Sequence, residues 1–210
     1  MNEIDSVIFD LDGTLWDTCQ SCADAWNLVI KRNGISYRQI VADDVRRVTG
    51  KPHNVCIQET FSDLTQAQIN LLIKETEVTD NEVIEQQGGD LYPGVILGLR
   101  QLAKKFPLFI VSNCPAGYIE MFIRLNGLED IFKDHECWGN TGNVKASNIS
   151  DLVERNNLKS PIYVGDTQGD ADAAAACGLP FYFVEYGFGS RVIAAKSFSD
   201  ISKLVRHLVR

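Results

Sequence analysis

Short apolar runs along the chain predict a buried parallel sheet. The clearest runs lie at 6–9, 108–111, 162–164 and 181–184, with a weaker one near 135–138. Parallel strands that are covered on both faces appear in a sequence as near-continuous apolar runs. Helical patterns separate the later runs, at 115–126, 147–157, 170–177 and 200–209. Alternating strands and helices predict an α/β fold with a parallel sheet.

One connection in this pattern is too long for an ordinary crossover. About a hundred residues separate Asp10 from Ser112, whereas a strand–helix–strand unit needs ~30. Apolar residues recur at steps of three and four from Trp16 to Ile30, and 65–68 resembles a helix-capping box. We therefore predict two domains. An inserted α-helical domain spans 16–88, and the α/β domain comprises 1–15 and 89–210.

Composition narrows the classes of partner. The chain has 210 residues and a formal net charge of −8, which disfavours nucleic acid as a ligand. No apolar run approaches the ~18–20 residues of a membrane span, and the acidic start does not resemble a signal peptide. We therefore expect a cytoplasmic protein with no membrane partner. Small anionic molecules remain possible ligands, because local charge decides their binding.

Pairs of carboxylates follow two of the predicted strands. Asp10 and Asp12 follow the run at 6–9, and Asp166 and Asp170 follow the run at 162–164. The carboxyl ends of parallel strands lie at one edge of the sheet, where ligands bind. Buried carboxylates need a cation or hydrogen bonds, and Mg2+ suits oxygen ligands best. The alternative is a structural one, in which the same residues form an Asx-turn and a helix N-cap.

Two further polar elements accompany these carboxylates. Ser112 and Asn113 follow the run at 108–111, and Lys145 lies upstream of the strand that ends near Asp166. Taken singly, a serine at a strand end is more often a cap, and a lone lysine is usually a solvated charge.

Together these elements resemble the haloacid dehalogenase-like superfamily, in particular its phosphoglycolate-phosphatase-like members with a helical cap. Asp10-x-Asp12-Gly13-Thr14 and Gly165-Asp166-Thr167-x-x-Asp170 carry the resemblance, which extends over essentially the whole chain. It implies a Rossmann-like core with an inserted helical cap. It also implies a Mg2+-dependent phosphatase that acts on a small phosphorylated metabolite.

The resemblance also implies a role for each matching residue. Asp10 is the expected nucleophile, which forms an aspartyl-phosphate, and Asp12 is the expected general acid and then base. Ser112, assisted by Asn113, is expected to bind the transferring phosphoryl group. Lys145 is expected to neutralise its charge. Lys133 is the rival for this last role, because the family often has Lys-Pro where this chain has Lys145-Ala146.

The metal site implied by the resemblance draws on the same acidic motifs. Its expected ligands are Asp10, Asp12 through the backbone carbonyl, Asp166 and Asp170.

A cationic segment at 46–52 resembles the substrate loop of such caps. Its Lys51 and Arg47, with Arg46 beside them, are candidates to bind a phosphate or carboxylate of the substrate. The alternative is an ordinary solvated helix end, where cations are also favoured.

Two other functions remain open at this point. A phosphosugar mutase of the same superfamily would keep all the core residues. A non-catalytic regulatory or binding protein is the second alternative, although unused clustered carboxylates would cost stability. The sequence does not choose among phosphoglycolate, sugar phosphates, nucleotides and pyrophosphate as substrates, nor between a monomer and a homodimer.

Overall fold

The computed structural model describes residues 3–210, which form two compact units. The first, called the sheet unit, comprises the described residues up to Trp16 together with Leu91–Arg210. The second, called the helical unit, is Asp17–Asp90. These boundaries lie one and two residues beyond the ones that the sequence pattern gave.

Six parallel strands make up the main sheet. The strands within residues 3–210 are β1 (Ser6–Phe9), β2 (Trp16–Asp17), β3 (Asp90–Leu91), β4 (Leu108–Ser112), β5 (Phe132–Cys137), β6 (Pro161–Gly165), β7 (Phe181–Val184) and β8 (Lys196–Phe198). The order in the main sheet is β5-β4-β1-β6-β7-β8, and β2 pairs with β3 separately. The predicted parallel α/β fold is confirmed. β8 was missed, because only three residues form it and two of them are exposed.

The helical unit contains four helices. They are α1 (Cys19–Arg32), α2 (Ala42–Arg46), α3 (His53–Thr60) and α4 (Gln66–Gln87). Its core includes the rings of Trp26 and Phe61, whose centroids are 5.8 Å apart. The predicted capping box is present at α4, where Thr65 and Gln68 each accept a hydrogen bond from the other's backbone N–H.

The helices of the sheet unit cover the strands. They are α5 (Val95–Leu102), α6 (Tyr118–Leu125), α7 (Trp138–Thr141), α8 (Lys145–Arg155), α9 (Gln168–Ala176) and α10 (Ile201–Val209). Ile149 and Leu152 of α8 pack with Ile8, Phe109 and Tyr163 of the sheet in one buried cluster. All four residues of β1 are buried, as their apolar run predicts.

The sheet order brings the predicted site elements side by side. β1 lies between β4 and β6, with Phe9 opposite both Ile110 and Val164. The carboxyl ends of these three strands therefore lie next to one another at one edge. Within residues 3–210, no helix combines the length and the apolar character that a membrane span requires.

Candidate active site

Three carboxylates converge at the carboxyl edge of the sheet. Asp10 follows β1, Asp166 follows β6, and Asp170 lies in the first turn of α9. One oxygen from each lies within 4.8 Å of the others. Asp10 is 1% exposed, and Asp166 and Asp170 are fully buried. The structure thus brings together three of the four residues that the sequence predicted as metal ligands.

The start of α9 fixes the carboxylate of Asp170. Thr167 is the N-cap of this helix, and Asp170 is the third residue of its capping box. Asp170 Oδ2 accepts hydrogen bonds from the Thr167 N–H at 2.9 Å and from its hydroxyl at 2.7 Å. The structural alternative of Asp170 as the N-cap is therefore wrong. The Oδ1 atom makes a separate contact, to Lys145.

Lys145 bridges the carboxylates of Asp10 and Asp170. Its Nζ lies 2.8 Å from Asp10 Oδ1 and 2.6 Å from Asp170 Oδ1, and the lysine is 6% exposed. Burial opposes its charge, yet the two carboxylates raise the pKa of Lys145 well above its usual range. The rival Lys133 is exposed on β5. The structure therefore brings Lys145, and not Lys133, to the predicted nucleophile.

Burial and mutual repulsion dominate the electrostatics of the acidic cluster. Burial raises the pKa of Asp10 to about 7, with the charge of Asp170 adding to the shift and Lys145 opposing it. Burial, with Asp170 and Asp10, also raises the pKa of Asp166 well above its usual range. One lysine thus leaves three buried carboxylates under-compensated. An additional hard cation with oxygen ligands fits this donor set.

The backbone packs closely around Asp166. A Cβ atom added to Gly13 would lie 2.3 Å from Asp166 Oδ2, and one added to Gly187 would lie 2.3 Å from its Cβ. The Phe188 N–H donates to Oδ2 at 2.6 Å, and the Thr14 hydroxyl donates to Oδ1 at 3.2 Å. The two glycines thus leave room for a fixed carboxylate. The loop of Gly187 and Phe188 escaped the sequence analysis, because its contact to Asp166 is made by backbone.

Asp12 lies in the tight turn that follows β1. Its carboxylate is not part of the three-carboxylate cluster. From the sequence, only its backbone carbonyl is expected to reach the metal, and that contact stays a prediction. The Oδ1 atom accepts a hydrogen bond from the Tyr118 hydroxyl at 2.7 Å. Tyr118 was not among the predicted site residues, because an aromatic residue on an amphipathic helix is ordinarily part of the core.

Ser112 and Asn113 lie at the same edge of the sheet. Ser112 is the last residue of β4 and is 3% exposed, and Asn113 is partly buried. Since Phe9 is opposite Ile110, Ser112 lies one residue beyond the level of Asp10. The binding of a phosphoryl group by Ser112 and Asn113 stays a prediction.

The cationic residues of 46–52 are paired within the helical unit. Lys51 Nζ lies 2.5 Å from Glu59 Oε2, and the Arg47 guanidinium lies 3.1 Å from Asp44 Oδ1. Arg46 contacts Asp17 at 2.8 Å. The three cationic side chains are 39–70% exposed, so each pair is expected to contribute little to stability.

Comparison with known proteins decides the family. A family model described as haloacid dehalogenase-like hydrolase matches residues 7–184. The chain belongs to this family. A phosphoglycolate phosphatase of Rhodobacter capsulatus is 30% identical, with 95% of this chain and 94% of that protein covered. A phosphoglycolate phosphatase of Psychrobacter arcticus is 25% identical, with 97% and 95% covered.

Solved structures confirm the fold of this family member. A predicted phosphoglycolate phosphatase from Haemophilus somnus has a TM-score of 0.87 at 22% identity, with 99% of both chains covered. A haloacid dehalogenase-like hydrolase from Streptococcus pneumoniae has a TM-score of 0.85 at 21% identity, again with 99% of both covered. The predictions of the family, of its fold and of a hydrolase are therefore confirmed.

Proposed function

We propose that this hydrolase is a phosphatase that cleaves a small phosphate monoester through an aspartyl-phosphate on Asp10, with Mg2+ as cofactor. The observation that carries the proposal is the buried lysine bridge. Lys145 holds the carboxylate of Asp10 at 2.8 Å beside Asp166 and Asp170. The two relatives, both phosphoglycolate phosphatases by name, support the same reaction class.

The first half-reaction transfers the phosphoryl group to Asp10. A carboxylate oxygen of Asp10 attacks phosphorus, and the bond from phosphorus to the ester oxygen breaks. Lys145 favours the ionised form of Asp10 and so opposes the burial that raises the pKa of this carboxyl, and it faces the charge on the phosphoryl oxygens. Ser112 and Asn113 donate hydrogen bonds to that group. Asp12 gives its proton to the leaving oxygen, which departs as an alcohol.

The second half-reaction restores the enzyme. Asp12, now a carboxylate, accepts a proton from a water molecule, which attacks phosphorus. The bond from phosphorus to the Asp10 oxygen breaks, and inorganic phosphate leaves. Splitting the hydrolysis in two lets one residue serve first as acid and then as base.

The residues that would hold Mg2+ are Asp10, Asp166 and Asp170, with the backbone carbonyl of Asp12. Bound there, the ion supplies positive charge that offsets repulsion between an anionic nucleophile and an anionic substrate. The supporting observation is the donor set itself, since three buried carboxylates lie together and Lys145 pairs with only two of them, Asp10 and Asp170.

Phosphoglycolate is the first substrate to test, because both relatives are phosphoglycolate phosphatases by name. Binding of the substrate by Lys51 and Arg47 stays a prediction, as do the cap role of 16–88, the cytoplasmic location and the choice of monomer or homodimer.

The test of this proposal is phosphate release from a panel of esters, which includes phosphoglycolate, sugar phosphates, nucleotides and pyrophosphate. We expect release that requires Mg2+ and disappears in Asp10→Asn. Lys51→Met and Arg47→Met should raise KM for the preferred ester while leaving kcat largely unchanged. Absence of release from every ester, with substrate phosphate retained on Asp10, would instead favour a mutase.

A further inference from the structure

The general acid has a partner that the sequence did not reveal. The Tyr118 hydroxyl donates a hydrogen bond to Asp12 Oδ1 at 2.7 Å. Tyr118 is the first residue of α6, and it is 4% exposed. The hydroxyl is therefore largely shielded from water, and its acceptor Asp12 is partly buried.

A second aromatic ring fixes Tyr118 from the turn that carries Asp12. The Trp16 ring meets that of Tyr118 edge-on, with 5.4 Å between centroids and 66° between planes. Trp16 is 1% exposed and also meets Phe122 at 5.0 Å. The Gly13 N–H donates to the Trp16 carbonyl at 2.9 Å, so the same tight turn holds the acid and the ring. Edge-to-face contacts of this kind favour one ring orientation.

We propose that Tyr118 is a positioning residue for Asp12, an inference that rests on the proposed function. Because the hydroxyl donates to Oδ1, it favours the carboxyl proton on Oδ2, from which the proton passes to the leaving oxygen. In the first half-reaction the Asp10–phosphorus bond forms, the bond from phosphorus to the ester oxygen breaks, and the Oδ2 proton moves to that oxygen. The Tyr118 hydroxyl then stabilises the Asp12 carboxylate that remains.

Substrates with different leaving groups distinguish a role of Tyr118 in positioning the acid Asp12 from a merely structural role. An alkyl phosphate needs a proton on its departing alkoxide, whereas p-nitrophenyl phosphate releases a stable phenolate without one. The ratio kcat/KM reports the steps up to phosphoryl transfer to Asp10, so it isolates the step in which Asp12 acts as an acid. A structural defect would lower kcat/KM for both esters alike.

The experiment compares Tyr118→Phe with wild type on an alkyl phosphate that wild type hydrolyses and on p-nitrophenyl phosphate. Phenylalanine keeps the ring against Trp16 and removes only the hydroxyl. We expect kcat/KM to fall about 10- to 100-fold for the alkyl ester and less than about threefold for the aryl ester. The matched control is Tyr182→Phe, which also removes one tyrosine hydroxyl. The Tyr182 ring lies on β7 and packs against the rings of Phe198 and His207. That variant should leave both values unchanged.

A double-mutant cycle gives a second readout. If Tyr118 acts through Asp12, then Tyr118→Phe should have no further effect on the alkyl ester in an Asp12→Asn background. Equal losses on both esters, or an undiminished loss in that background, would overturn the inference while the proposed function stood. If wild type hydrolysed no alkyl phosphate of the panel and did not hydrolyse p-nitrophenyl phosphate, the proposed function would be overturned and this inference with it.

Discussion

Replacement of Lys145 by methionine tests the electrostatic balance of the site. Methionine keeps a comparable length and removes the charge, so the buried carboxylates of Asp10 and Asp170 lose the cation that pairs with them. Removing one partner of a buried ion pair destabilises a protein by about 3–5 kcal/mol, since the remaining charges stay uncompensated. For a chain of this size that corresponds to a fall of about 6–20 °C in melting temperature.

The pH dependence of this effect has a definite sign. Asp10 has a pKa of about 7 in the folded protein and 3.8 as its ordinary value. Loss of Lys145 raises the folded pKa further, because burial and Asp170 still act and the opposing charge is gone. Below pH 7 Asp10 is protonated in both folded proteins. Above pH 7 Asp10 of the wild type loses its proton, whereas Asp10 of the variant still holds it and the variant continues to lose stability as the pH rises. The difference in stability should therefore grow between pH 6 and pH 8.5.

The measurement is calorimetric unfolding in a chelating buffer at both pH values, together with the rate of phosphate release in Mg2+. The rate should fall by about 10²- to 10³-fold, as when other groups that stabilise developing charge are removed. Lys133→Met is the matched control, because Lys133 is exposed, and it should change neither quantity. A Lys145→Met protein as stable and as active as Lys133→Met would refute this account of the site.

Two further predictions concern other parts of the structure. Gly187→Ala should weaken Mg2+ binding by about 10- to 100-fold, as measured by titration calorimetry. The added Cβ would lie 2.3 Å from both Asp166 Cβ and the Gly13 carbonyl oxygen, so the Asp166 carboxylate would have to move. Gly169→Ala is the control, since the nearest atom to its Cβ is 3.6 Å away, and equal affinity in both variants would contradict the close packing at Asp166. Arg38→Leu should lower the free energy of unfolding by about 1 kcal/mol at pH 6, because the Arg38 hydrogen bonds hold the pKa of Asp44 at about 2. A depressed carboxyl pKa stabilises above its ordinary value, so this difference should shrink as the pH falls from 4 towards 2, and a difference that persists at pH 2 would count against it.

The sequence predicted the features that follow from local pattern and sheet topology. Continuous apolar runs identified the central strands. Because parallel strands end at one edge of the sheet, the sequence also predicted that Asp10 and Asp166 lie close together. The capping box at Thr65 was also predicted from the sequence, because its two hydrogen bonds join residues that are only three positions apart. The short β8 strand lacked such a pattern.

The site features that the sequence did not predict depend on contacts between residues that lie far apart in the chain. Whether Lys145 or Lys133 reaches Asp10 depends on where α8 begins relative to the sheet. The residues next to each lysine in the sequence do not reveal that position. Tyr118 contacts Asp12 across 106 positions, and its sequence pattern resembles that of an ordinary core residue. The Phe188 N–H is a backbone group, so no side chain marks its contact to Asp166.

The central claim is that the phosphoryl group passes through Asp10, and trapping that group tests it most directly. In Asp12→Asn, p-nitrophenyl phosphate should still phosphorylate Asp10, because its leaving group needs no proton, while the missing base slows hydrolysis of the intermediate. Acid quenching followed by peptide mass spectrometry should find one phosphoryl group on Asp10. Continued release of p-nitrophenol with Asp10 unmodified at every quench time would contradict the account.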